Sequence, residues 1–354
     1  MRVGIDAHFV GVRRSGNEQY FENLIRALLR RANGETGYYL FSFRGAAAPL
    51  LHGVPATHVP LARRSVWWQR GVEIPWQARR LRLDVLHVPF NFLPIGRHRT
   101  VVSIHDLGFV RVPRAYASLE RLRMRALTRL AVRHADHILT CSEFTKREIV
   151  EHYQLPADRV TVAAGAVDRD VFKPLPPAER APVEPYVLFV GVIQERKNLD
   201  VLLQAIEALR LHLVLVGRLG FGAERVFARV RERRLEPLVR YLGVVSTSDL
   251  VGLYNRALAF VFPSLLEGFG IPVLEAMACG CPVVSSTAGS LPEVYGDAAL
   301  SFDPQSADEL TAQLRRLRDD TALRSELVRR GVANCDRFSW DRTAAVVERV
   351  YQAP

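Results

Sequence analysis

Long apolar runs are missing from this chain. No stretch approaches the ~18 consecutive apolar residues of a membrane-spanning helix, which argues against such a segment. The start, MRVGIDAHFV, has neither a basic opening nor an extended apolar core, so no signal peptide is expected. Cysteine is scarce. Cys141, Cys279, Cys281 and Cys335 make no two CxxC pairs, which excludes a paired structural zinc motif. Cys279 and Cys281 are too close in sequence for an easy mutual disulfide, and a reduced, cytoplasmic chain is expected. Lysine is nearly absent, with only Lys146, Lys173 and Lys197 among 48 cationic residues. What is present suits a globular protein: 354 residues, 49% apolar and 24% charged, exclude intrinsic disorder and suggest two domains.

Anionic counter-charge is what the first half lacks. Residues 1–180 carry a balance of +12 and residues 181–354 a balance of −1. Between Arg63 and Arg129 only Glu73, Asp84, Asp106 and Glu120 oppose the arginines. Such asymmetry points to an anionic partner such as a membrane surface, a phosphorylated substrate or nucleic acid. Arginine-biased codon usage is the plainer explanation. No recognisable nucleic-acid module accompanies the charge, so nucleic acid is not the expected partner.

Short β-branched runs alternate with amphipathic helical patterns. VGID (3–6), TGYYLFSF (36–43), DVLHVPF (84–90), TVVSIHD (100–106) and HILTCS (137–142) read as strands, with helices over 18–31, 115–134 and 143–153. FKPLPPAERAPVEP (172–185), with five prolines and no apolar period, reads as a linker. The rhythm then restarts, with strands from Tyr186, His212, Val239, Ala257 and Pro282 and helices at 198–210, 222–234, 247–256, 271–279 and 290–295. This βαβα alternation predicts an α/β chain of two doubly wound parallel sheets, each binding ligands beyond its carboxyl strand ends.

The most informative stretch is PSLLEGFGIPVLEAMACGCPVVSS (263–286). A strand ends at Pro263, and Gly268-Phe269-Gly270 opens a helix whose first turn holds Pro272. Free N–H groups there, with the positive end of the helix dipole, suit a diphosphate. Glu267 precedes the helix, and Glu275 lies about one turn inside it. A second constellation is FVGVIQERKNL (189–199). Gly191 ends a strand, Arg196 and Lys197 follow, and Asn198 is a plausible helix N-cap. Adjacent cations at a strand end neutralise a diphosphate leaving group.

The E-x7-E spacing within EGFG…P..EAMACG.PVV resembles the retaining family 4 glycosyltransferases, and the resemblance runs over nearly the whole chain. It implies the GT-B fold: two Rossmann-like domains facing across a cleft, here 1–171 and 186–336 joined by 172–185, with 337–354 packing back on the first. It implies that Glu267 contacts the donor sugar's hydroxyls and Glu275 the nucleotide ribose. The backbone of Phe269, Gly270 and Ile271, with Gly268, would approach sugar and phosphate. Arg196 and Lys197, in a G…RKN pattern with Gly191, would bind the diphosphate. His105, in an HD pair, would sit near the reacting carbon, and Gly243 and Val244 would seat the base. Gly16 matches the first glycine of the family's amino-terminal loop, while Glu18 replaces the second; Arg13 and Arg14 lie beside it.

The resemblance further implies a hexosyltransferase that needs no catalytic metal and no cofactor. The D-x-D at Asp168–Asp170 stands beside the linker, away from any strand-end phosphate site. GDP-mannose is favoured over UDP-glucose as donor, because VSIHDLGF and DVLHVPFNFLP resemble the mannosyltransferase branch. The expected acceptor is a glycan, free or lipid-linked, in polysaccharide biosynthesis. A UDP-sugar transferase acting on a soluble acceptor, a GT-B epimerase and a phosphorylase are alternatives, the last disfavoured by the scarcity of lysine. Arg63, Arg64, Arg79, Arg80 and Arg82 with Trp67, Trp68 and Trp76 form a candidate surface for peripheral contact with the inner face of an anionic membrane. HADHILTCSEFTKREI (134–149) resembles the family's S-x-x-T strand-to-helix turn, in which Ser142 and Thr145 either cap the helix or sit near the acceptor, the cap being favoured.

Overall fold

The protein, a computed structural model, is described over residues 1–8, 10, 16–43, 56–62, 68–89, 98–176 and 184–353. Arg13, Arg14, Arg63, Arg64, Trp67, the NFLP segment and half of the linker lie outside the described residues. The chain divides into two compact units: Met1–Val110 with Ala117–Gly165 and Ser339–Pro354, and Arg111–Tyr116 with Ala166–Phe338.

The first unit is a parallel seven-stranded sheet in the order β3-β2-β1-β4-β5-β6-β7. Its strands are β1 (Arg2–Asp6), β2 (Gly37–Phe43), β3 (Ala56–Leu61), β4 (Val85–Pro89), β5 (Arg99–Ser103), β6 (His137–Thr140) and β7 (Val160–Val162). Every residue of β4 is buried, as a central strand covered on both faces requires. Helix α1 (Gly16–Arg31) buries Tyr20, Phe21, Leu24, Ile25, Leu28 and Leu29, the set its 3.6-residue period predicts. Each such side chain contributes about 1.5–3 kcal/mol of transfer free energy. Helices α2 (Ile74–Arg80), α3 (Ser118–His134) and α4 (Glu143–Tyr153) follow, α2 entered through a π-helical turn over Gln69–Glu73.

The second unit has six parallel strands in the order β10-β9-β8-β11-β12-β13. These are β8 (Tyr186–Val190), β9 (His212–Val216), β10 (Val239–Gly243), β11 (Ala259–Phe262), β12 (Val283–Ser286) and β13 (Leu300–Phe302). Helices α5 (Leu199–Leu209), α6 (Ala223–Glu232), α7 (Thr247–Arg256), α8 (Ile271–Ala278), α9 (Leu291–Tyr295), α10 (Ala307–Asp319) and α11 (Thr321–Asn334) complete it. Strand order reverses between β8 and β11, so their loops leave in opposite directions and open a crevice at their carboxyl ends.

Helix α12 (Trp340–Gln352) belongs to the first unit. It lies along α1, with Arg31 paired to Glu348 at 2.9 Å, and the Thr343 hydroxyl donates to the Ala164 carbonyl. All four cysteines are reduced and buried. Among the described residues no helix is long and apolar enough to cross a membrane, and no group of three or more His, Cys, Asp or Glu residues converges as a metal site. Asp168 Oδ1 accepts from the Asp170 N–H within a surface turn.

Candidate active site

The loops after β8 and β11 bring Arg196, Lys197 and Glu267 together. The chain leaves β8 at Gly191, turns through a single 3-10 turn at Glu195–Lys197, and enters α5. Gly191 meets Gly217 across this edge. Gly217 has φ +135° and a Cβ on it would lie 1.9 Å from the Gly191 carbonyl oxygen, so only glycine fits. Asn198 departs from its expected role: its side chain makes no cap bond. Its amide donates instead to the carbonyls of Pro263 and Pro304, tying the RKN loop to β11 and β13. The Leu265 N–H adds a bond to the Arg196 carbonyl, and the Arg196 guanidinium donates to the Leu266 carbonyl at 2.9 Å.

At the centre of this loop pair, Lys197 Nζ lies 2.5 Å from Glu267 Oε1, with Arg196 3.5 Å from Oε2. Lys197 and Glu267 are both buried, and the Phe262 ring centroid is 4.5 Å from the ammonium. Burial alone would push the Glu267 carboxyl up. Lys197 and then Arg196 outweigh it and hold the group below the usual carboxylate range, so Glu267 is ionised at neutral pH. A buried glutamate beside a core is thus reconciled by charge pairing.

Gly268, Phe269 and Gly270 continue to α8, whose first turn holds Pro272 as expected. Gly270 is the N-cap at φ +106°, and a Cβ there would lie 2.8 Å from Leu291. Ser290 donates to the carbonyls of Glu267 and Phe269, which fixes the loop. In the first turn of α8 Pro272 has no N–H and the Val273 N–H donates to the Gly270 carbonyl, so Ile271 carries the helix's leading N–H. Glu275 is buried one turn in, where Tyr254 of α7 donates to its Oε2 at 3.0 Å. Burial raises the Tyr254 hydroxyl well above its ordinary value, and the neighbouring Glu275 raises it further, so it remains a donor. Gly243 ends β10 at φ +69°, and Val244 beside it is exposed.

The first unit holds the remaining candidates. Gly16 opens α1; it is exposed, and an added Cβ would meet nothing within 4 Å. Glu18 is buried in that first turn. His105 follows β5, its ring 4.4 Å from Tyr20 and 5.8 Å from Phe21 between centroids. Burial lowers its pKa to about 4 against the pull of Asp106, so the ring is neutral at pH 7. Ser142 caps α4 by accepting from the Thr145 N–H, and the Thr145 hydroxyl donates to the His105 carbonyl. The cap therefore also holds the histidine's backbone.

Sequence reasoning passed over Tyr254 and Ser290, which look like ordinary helix residues until the fold apposes them to Glu275 and the Glu267 loop. It also passed over Asp6, His8 and Arg70 at the end of β1. His8 Nδ1 donates to Asp6 Oδ1 at 2.6 Å, and the Arg70 guanidinium donates to Nε2, which fixes the histidine as the Nδ1-protonated tautomer. Burial would raise the Asp6 carboxyl, but His8 and Arg70 hold it low.

With that geometry in place, comparison with known proteins gives a family. Residues 14–171 match the family described as Glycosyltransferase Family 4, and residues 176–333 match Glycosyl transferases group 1. The chain is 36% identical over 292 residues to O-antigen chain mannosyltransferase B of Escherichia coli, covering 78% of this chain and 76% of that one. It is 31% identical over 264 residues to the serotype-specific mannosyltransferase WbdA of the same species. That match covers 70% of this chain and 32% of that longer protein. Sucrose-phosphate synthase of Thermosynechococcus elongatus shares the fold, with a TM-score of 0.80 at 20% identity over 99% of this chain and 98% of that one. Two parallel Rossmann-like sheets of this kind make the GT-B fold, and the chain is a glycosyltransferase of the glycosyl transferases group 1 family.

Proposed function

We propose that the protein moves a hexose, with mannose favoured and GDP-mannose the donor, to a hydroxyl of a glycan acceptor in polysaccharide biosynthesis, with retention at the anomeric carbon. The observation that carries this reading is the Arg196–Lys197–Glu267 cluster, its Lys197–Glu267 pair buried, at the carboxyl ends of β8 and β11 and beside the amino end of α8. The mannosyltransferases among the relatives support the choice of sugar. In the step itself the acceptor oxygen forms a bond to the anomeric carbon as the carbon–phosphate oxygen bond breaks. The electron pair leaves with the diphosphate, which takes the acceptor proton. Arg196, Lys197 and the positive amino end of α8 stabilise the charge that develops on the leaving group, already oriented before reaction. Glu267, ionised and flanked by both cations, accepts from sugar hydroxyls. Glu275, held by Tyr254, accepts from the ribose.

The direct test is a thermal-shift screen with GDP-, UDP- and ADP-sugars, each with and without EDTA. GDP-mannose should stabilise most, and turnover should persist in EDTA because cationic side chains, not a divalent ion, neutralise the diphosphate. A larger shift with a UDP-sugar would replace the donor, and loss of turnover in EDTA would restore a metal. Glu275→Ala should weaken nucleotide-sugar binding about tenfold to a hundredfold, the ~1.5–3 kcal/mol of a charge-assisted hydrogen bond. Unchanged donor affinity in that variant, measured by calorimetry, would remove Glu275 from the site.

Peripheral contact with an anionic membrane is part of this reading. Trp68, Val72 and Trp76 recur at four-residue spacing across the π-turn and α2, and all three are exposed. Arg79, Arg80 and Arg82 flank them on the surface, with Arg80 5.6 Å from the Trp76 ring centroid. Each arginine near an anionic surface is worth about 1 kcal/mol. Sedimentation with anionic vesicles, falling as salt rises, should disappear when Arg79, Arg80 and Arg82 become glutamate. Equal binding to neutral vesicles would defeat the electrostatic account.

A further inference from the structure

Helix α3 reads SLERLRMRALTRLAVRH, with Arg121, Arg125, Arg129 and Arg133 at strict four-residue spacing. Residues four apart share a helix face, and like charges there repel one another. The only acid on the helix is Glu120. Among the described residues no carboxylate pairs with Arg125, Arg129 or Arg133, and all three are exposed. The helix dipole rewards a cation in the last turn, which accounts for Arg133 but not for Arg125 or Arg129. Among the described residues nothing therefore repays the charge of Arg125 and Arg129.

The row does not face open solvent alone. Arg125, Arg129 and Arg133 line a cleft of about 770 Å³ between α3 and the end of α4, with Leu122 and Ala126 on one side and Tyr153 on the other. Burial pushes the Tyr153 hydroxyl up to about 12, with Arg125 and Arg129 pulling against it, so it too is a donor at neutral pH. The cleft offers three planar guanidinium forks, a hydroxyl donor and an apolar wall, a set that suits phosphate oxygens next to a less polar group. Its place in the fold is equally defined. Helix α3 ends where β6 begins and α4 ends before β7, so the cleft lies toward the amino ends of the strands, whereas His105 lies at the carboxyl ends.

We propose that the α3–α4 cleft is a binding site for a phosphate group of the glycan acceptor, remote from the edge where transfer takes place. This rests on the reading above that the acceptor is a glycan, and it adds that the glycan carries phosphate, as a diphosphate link to a carrier does. A bilayer headgroup is the less suitable occupant, because the exposed arginines line a concave surface that Tyr153 and Leu155 close on the far side, where a flat bilayer makes contact less readily than a single phosphate group.

The test uses the full chain with its donor site filled by the nucleoside diphosphate that stabilises it most. Calorimetric titration with inorganic pyrophosphate should show binding that the triple variant Arg125→Gln/Arg129→Gln/Arg133→Gln weakens at least about tenfold. Transfer assays should show the acceptor KM of that variant raised for a phosphate-bearing glycan and unchanged for the same glycan without phosphate, with kcat and donor KM as in the parent. Because the substitutions relieve repulsion on an exposed helix face, the variant should melt at the same temperature or higher. Pyrophosphate binding equal in parent and variant would overturn the proposal, as would a lowered melting temperature, which would make the arginines structural. Loss of binding to phosphatidylglycerol vesicles with pyrophosphate binding and acceptor KM intact would also overturn it, and assign the face to the bilayer. Failure of the parent to glycosylate any glycan would count against the functional reading instead, since the titration judges the cleft independently.

Discussion

Lys197→Ala is expected to slow transfer by about 10²–10³-fold and to lower the melting temperature of the second unit by roughly 10 °C. The two effects have separate causes. Removing the ammonium leaves Glu267 buried with only Arg196, at 3.5 Å, to balance it. Breaking a buried pair from one side costs about 3–5 kcal/mol, and a unit of this size loses roughly 2–4 °C per kcal/mol. Transfer falls because a preorganised positive charge at the leaving group is worth about 10²–10³ in rate. The paired variant Lys197→Met/Glu267→Gln separates these causes. It removes both charges, so it should recover most of the lost melting temperature, and it should remain slow. Differential scanning calorimetry and a donor-saturated rate assay decide the matter. A Lys197→Ala protein that melts low but turns over within a few-fold of the parent would reduce Lys197 to a structural counter-ion.

The legible parts of this chain were those where one local signal carries the answer. The apolar period of 18–31 and the fully buried runs at 85–89, 186–190 and 259–262 announce their elements because burial on one face or on both leaves different patterns. The RKN and EGFG turns were legible for a similar reason: each is a short contiguous segment at a strand end. What escaped depends on distant residues. Strand β3 contains Pro60, which weakens the reading of a strand, and it is tolerated because β3 is the sheet's edge. Strands β7 and β13 are three residues each; β7 is the opposite edge of that sheet and β13 is an edge of the second unit's sheet. Asn198 looked like a cap because its position is right. Its side chain instead spans two carbonyls 65 and 106 residues away, which no local pattern reveals. Tyr254 and Ser290 are likewise supporting residues, defined by what they hold. The tryptophans at 68 and 76 have a core residue's composition and a surface residue's position, and only the helix orientation separates the two.

Acidification should unfold the first unit well before the donor-site ion pair is affected. His87, on β4, is fully buried between the Tyr351 hydroxyl at 2.6 Å and the Ser103 hydroxyl at 2.7 Å. Burial lowers its pKa to about 3, helped by the nearby His105, and burial lowers that of His105 to about 4. Both folded values lie below the unfolded value of 6.5, so between these limits the unfolded chain binds more protons than the folded one. Their contribution is fully present above pH 6.5 and is lost as pH falls toward 4 and then 3. By pH 4.5 the two together should remove about 5 kcal/mol, a large share of the ~5–15 kcal/mol that holds a domain folded. Glu267 behaves oppositely in position though not in sign. Its depressed carboxyl keeps its stabilising charge until pH falls below the usual carboxylate range, so the second unit should outlast the first. The chain supplies its own probe, because all four tryptophans, at 67, 68, 76 and 340, fall within the first unit's stretches of sequence. Tryptophan fluorescence in a urea series should show a midpoint that drops steeply from pH 6.5 to 4.5, while nucleotide binding by the second unit persists. His87→Gln removes one titrating group and should flatten roughly half of that drop. A fluorescence midpoint that holds constant over this range would mean that the two histidines titrate near their ordinary values in the folded unit, and that burial does not hold them neutral below pH 6.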